Sequence, residues 1–75
     1  MRNGVNMDRV PVTSSNLASI GYDEASLTLE IEFIGGRVYQ YFDVPPAAYA
    51  ELISADSHGV YFCAYIRNNY RYARL

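Results

Sequence analysis

The stretch SLTLEIEFIGGRVYQYFDV, residues 26–44, decides the fold. Leu27, Leu29, Ile31 and Phe33 alternate with Thr28, Glu30 and Glu32. A period of two is the mark of a strand with one apolar face. Gly35-Gly36 then interrupts the chain, and glycine accepts the positive φ of a tight hairpin turn. Residues 37–44 resume as a second strand. A two-residue turn sets Phe33 opposite Val38, Ile31 opposite Gln40 and Leu29 opposite Phe42. Leu27, Leu29, Ile31, Phe33, Val38, Phe42 and Val44 then share the core face, while Glu30, Glu32, Tyr39 and Tyr41 share the other. A three-residue loop slips the register by one and turns both tyrosines into the core. The two-residue turn is the expectation carried forward.

Upstream, LASIGYD (17–23) reads as an earlier strand that adds Ile20 and Tyr22 to the core face, with DEAS (23–26) as the turn. Downstream, Pro45-Pro46 ends the strand and can open a helix, since proline is tolerated in the first helical turn. Tyr49, Leu52 and Ile53 lie at i, i+3, i+4 on one face of that helix. DSHG (56–59) breaks the chain, and Asp56 or Ser57 can cap a last helix over about residues 58–69. That helix presents Gly59, Phe62, Cys63, Ile66 and Tyr70 as one stripe. The expected fold is α+β: a three-stranded antiparallel β-meander followed by two helices packed on one face, β-β-β-α-α. Residues 1–6 read as a flexible tail before a single domain over 7–75, with Met7 as a second candidate start.

Composition narrows the function classes. The 75 residues are 51% hydrophobic and 15% aromatic, with eight tyrosines, three phenylalanines and no tryptophan. A chain this short buries only about 60% of its unfolded surface, so aromatic bulk does much of the space filling. No apolar run reaches the ~20 residues of a membrane-spanning helix. The N-terminus has no apolar signal-peptide core, and a cytoplasmic location is the default expectation. One cysteine, Cys63, excludes an internal disulfide. The net charge of −2 argues against an indiscriminate nucleic-acid binder.

Catalysis finds little support. His58 and Cys63, five residues apart, point about 140° from each other around a helix and cannot form a nucleophile pair on one face. Cys63 falls on the core stripe and reads as a buried structural thiol, and His58 reads as a solvated loop residue. No set of three or four metal-ligand residues clusters in the sequence, and no glycine-rich loop leads directly into a helix, so no metal or cofactor is expected. Glu30 and Glu32 read as a solvated sheet face beside the tyrosines.

The arginines offer the one lead. All basic residues are arginine, and after Asp56 the chain carries Arg67, Arg71 and Arg74 with no acid. If the last helix runs to the end, these three form a one-sided basic stripe beside Tyr65, Asn68 and Asn69. Arginine among aromatics suits holding phosphates and stacking unpaired bases. Cations at a helix C-terminus also answer the helix dipole with no ligand at all.

The run VPVTSSNLASIGYD, then LTLEIEF, GRVYQYFDVP, the spaced Y--L--A-S-G-YF and IR--Y, resembles the KTSC domain family from Asp8 to Leu75. The Y-x-Y hallmark of that family is matched by Tyr39-Gln40-Tyr41. The family includes a domain at the C-terminus of some lysyl-tRNA synthetases and small stand-alone bacterial and phage proteins. Its attachment to a tRNA synthetase implies RNA, tRNA-like in kind, as a candidate partner. The expectation is therefore a non-enzymatic RNA-binding module in which Tyr39 and Tyr41 stack and Arg67, Arg71 and Arg74 hold phosphates. The alternative is a protein-interaction adaptor using an exposed tyrosine face, since tyrosine and arginine are also enriched in protein interfaces.

Overall fold

The computed structural model describes residues 8–75. The expected tail and Met7 lie outside that range. Five strands form one antiparallel sheet in sequence order: β1 Val10–Pro11, β2 Leu17–Asp23, β3 Thr28–Phe33, β4 Val38–Tyr41 and β5 Tyr72–Arg74. Between β4 and β5 the chain forms α1, Pro46–Ser54, then α2, His58–Tyr61, which runs into a π-helical segment, Phe62–Ile66. The α+β class stands, but the sheet has five strands where the sequence suggested three. The added ones are the short edges β1 and β5. Two or three residues carry almost no periodic signal, so their pairing to longer neighbours defines them.

The β3–β4 hairpin corrects the expected register. Ile31 pairs with Tyr39, Leu29 with Tyr41, Glu30 with Gln40 and Glu32 with Val38. The Phe33 N–H donates to the Arg37 carbonyl at 2.8 Å and the Gly36 N–H to the Phe33 carbonyl at 2.9 Å. Ile34, Gly35 and Gly36 thus form a three-residue loop, with φ of +107° at Gly35 and +96° at Gly36. Tyr39 and Tyr41 consequently face the helices, and Tyr41 is 3% exposed. The two-residue turn would have buried Gln40 against Ile31 without a partner, at the cost of desolvating an amide. In the observed register the Gln40 Nε2 donates to Glu30 at 2.9 Å. Val38, expected in the core, is half-buried on the opposite face beside Glu32, and Phe42 lies beyond the end of β4.

A bulge in β2 does similar work. Leu17 pairs with Phe33, yet Ser19 pairs with Glu32, so the register shifts between them. The extra residue lets Leu17 and Ile20, three apart, both enter the core. Around them gather Leu29, Ile31, Tyr41, Val44, Leu52, Phe62 and Ile66. Helix α1 supplies Leu52 fully buried, with Tyr49 and Ile53 beside it, as the i, i+3, i+4 spacing predicts. Tyr49 stacks on Tyr22 at 4.7 Å, and the Tyr22 hydroxyl donates to the Val44 carbonyl at 2.5 Å.

The second face of the sheet is not simply solvated. Glu30 is 5% exposed and forms an ion pair with Arg9 from the segment preceding β1. Ser19 donates to Glu32 at 2.7 Å and accepts from the Arg9 Nε at 2.9 Å. A buried carboxylate is tolerable here because its oxygens are occupied by donors.

Candidate nucleic-acid interface

The last helix shapes the site. Ser57 caps it, accepting from the Val60 N–H at 3.2 Å. Gly59 lies so close to the 13–16 loop that a Cβ there would sit 2.2 Å from the Asn16 Oδ1. After one α-turn the helix widens, and the Arg67 N–H donates to the Phe62 carbonyl at 3.0 Å, five residues back. In this wider turn Phe62 and Ile66, four apart, both stay on the core face. Cys63 rotates outward and is exposed, correcting the expectation of a buried thiol. His58 is also corrected: it is half-buried, with Nδ1 2.9 Å from the Leu52 carbonyl, and ties the two helices together.

The chain leaves the helix after Ile66 and returns to the sheet as β5, with Tyr72 opposite Tyr41 and Arg74 opposite Tyr39. The expected basic stripe therefore does not form, because its three arginines belong to three different settings. Arg71 pairs with Asp43 at 2.8 Å on the open surface and covers the Phe42 ring. Arg74 lies in the edge strand β5. Of the three, only Arg67 joins Tyr39 and Tyr41 around a cleft.

That cleft, about 640 Å³, opens between the β3–β4 hairpin and the π-helical segment. Its floor is aromatic. Tyr39, Tyr41 and Tyr72 lie with ring centroids 5.7–6.5 Å apart. Phe62 meets Tyr41 edge-on at 5.4 Å, and Phe33 meets Tyr39 edge-on at 5.6 Å. Tyr41 is the deepest of the three tyrosines, and burial pushes its phenol up to about 12, with Tyr39 and Tyr72 adding to the effect. It is therefore a neutral hydrogen-bond donor at physiological pH. Tyr72, by contrast, is 59% exposed and offers a ring surface at the mouth.

Arg37 and Arg67 supply charge at the rim, Asn16 and Asn68 amide groups, and among the described residues no Asp, Glu or His lines the cleft. Arg37 lies over the Phe33 ring at 5.7 Å, and an Arg67 guanidinium nitrogen is 4.0 Å from the Cys63 sulfur. Among the described residues, neither arginine forms an ion pair. The molecule is acidic, yet this concavity is locally basic. Among the described residues, no group of three His, Cys, Asp or Glu is placed to hold a metal.

Tyr39, Tyr41 and Arg67 were legible as candidates, though the tyrosines were placed on the wrong face; Arg67 caps the last helix, where the sequence set it. Arg37 and Tyr72 were missed. The signal for Arg37 was a cation directly after the hairpin glycines, whereas Tyr72 left none, since a three-residue strand has no period to read.

Comparison with known proteins agrees with this architecture. The KTSC domain family model matches residues 13–70. An uncharacterised protein of Stutzerimonas stutzeri is 43% identical over 92% of this chain and 99% of its own length. A lysine–tRNA ligase of Nostoc punctiforme is 36% identical over 81% of this chain, a match that spans only 11% of the ligase. The crystal structure of a KTSC domain protein from Yersinia pestis superposes with a TM-score of 0.87 at 40% identity, covering 92% of this chain and 97% of that one.

Proposed function

Because the chain belongs to the KTSC domain family, we propose that it is a non-enzymatic module that binds single-stranded RNA in the aromatic cleft. One observation carries this reading: a floor of clustered tyrosines rimmed by Arg37 and Arg67, with no carboxylate among the described residues of the lining. Unpaired bases stack on aromatic rings for about 1–3 kcal/mol each, and guanidinium groups hold the phosphates between them. Tyr72 and Tyr39 are the stacking surfaces, Tyr41 stiffens them from beneath, and Arg37 and Arg67 contact phosphate. Arg71, already engaged by Asp43, stands aside. The occurrence of a similar segment within lysine–tRNA ligases supports an RNA setting. The net charge of −2 keeps binding local to the cleft and modest in strength.

The adaptor reading loses its main premise, since it required an outward tyrosine face and Tyr41 is 3% exposed. An amide NMR titration with short single-stranded RNA and with tRNA, at two salt concentrations, tests the proposal. Shifts confined to the hairpin, the π-helical segment and β5, weakening as salt rises, are the expected outcome. A spectrum that stays fixed at low salt rejects RNA binding.

A further inference from the structure

A second concavity of about 430 Å³ lies around the hairpin loop, bordered by Gly35, Gly36, Arg37, Arg74 and Leu75. Arg37 lines both hollows. From this shared arginine we infer that the bound species is an oligonucleotide strand that runs out of the cleft across the loop, with a second phosphate held between Arg37 and Arg74. The inference rests on the RNA-binding reading and specifies its ligand: a single strand of two or more nucleotides, not a mononucleotide.

Three features support a continuous track. A Cβ placed on Gly35 or Gly36 would meet nothing within 4 Å, so the loop presents bare backbone to an approaching strand. Among the described residues Arg74 forms no ion pair and no Asp or Glu side chain borders this hollow. Arg9 also borders it, but its guanidinium is committed to Glu30 and Glu32, which leaves Arg37 and Arg74 as the available cations. Finally, Arg74 follows the stacking residue Tyr72 by two positions in β5, about 7 Å along a strand and on the order of one nucleotide step. Leu75 is held in place by its N–H, which donates to the Val38 carbonyl at 2.9 Å.

Calorimetric and NMR titrations with uridine 5′-monophosphate, adenosine 5′-monophosphate and the corresponding tetranucleotides separate this inference from its premise. The tetranucleotides are expected to bind at least tenfold more tightly than the monophosphates. Each further phosphate held should steepen the fall of log affinity with log salt by about 0.7. Shifts at Gly35, Gly36 and Arg74 should appear only with the longer ligand, and in Arg74→Gln the ratio of the two affinities should fall towards one. Equal affinities and identical shifts for the two ligand lengths overturn the track and leave the cleft as a mononucleotide site. Absence of binding by every ligand overturns both.

Discussion

Single side chains show how narrow the tolerances are. Gly59 is glycine for space, since a Cβ there would collide with Asn16. Gly59→Ala should destabilise by about 1–3 kcal/mol, read by urea denaturation, and Asn16→Ala in the same chain should return part of that loss. Tyr41 illustrates a titration effect. Its phenol is raised from the usual 10 to about 12 on folding, so the folded state resists ionisation that the unfolded state accepts. The stabilising contribution is complete below pH 10 and disappears as pH climbs towards 12. Tyr61, whose hydroxyl donates to Glu51 at 2.7 Å, is raised to about 12 in the same sense. Absorbance titration should therefore show phenols ionising well above pH 10, and Tyr41→Phe should remove part of that late phase. Cys63 and His58 mark where residue-level reading failed. A helical wheel assumes the α period, and the π-turn changes the angle at which Cys63 emerges.

Among the elements, the β3–β4 hairpin and the β1 edge carry the consequences. Three loop residues, two of them at positive φ, decide which face of β4 meets the helices. Gly35→Ala should cost roughly 1–2 kcal/mol because an L side chain is strained at that φ, despite the open space around it. Thermal unfolding compared with a Gly35→Asn chain, which should lose less, checks the cause. At the other edge, Arg9 clasps Glu30 and Glu32 of β3. Arg9→Met strands the buried Glu30 and should destabilise by about 2 kcal/mol or more. The added change Glu30→Gln should recover part of it, whereas equal loss in the single and double variants would assign the effect to lost packing of the arginine stem. Neither the hairpin register nor the strand at Tyr72–Arg74 was legible. The alternation and the glycines admit both loop lengths, and Gln40 meets Glu30 only once the strands pair. The three residues of β5 acquire their state from Tyr39 and Tyr41 alongside.

At the scale of the whole molecule, 75 residues give one small core with little reserve. Leu52 is the one fully buried residue of α1. Leu52→Ala should cost about 2–5 kcal/mol, comparable to the entire stability of such a domain, and the amide spectrum should collapse towards that of an unfolded chain. The sequence by itself determined the α+β class, the positions of β2, β3 and α1, most of the core, and membership of the family through segments spread along the chain. These rest on local periodicity and on residue types, which are written in the order of the letters. Only the tertiary structure decided the face on which Tyr39 and Tyr41 lie, the end of the helix at Ile66, and the meeting of Arg37, Arg67 and Tyr72 around one cleft. Each of these depends on pairings between residues distant in the chain. Whether such a pairing is favourable is set by the partner it meets, the hydrogen bonds it completes and the surface it covers, none of which has a period to read.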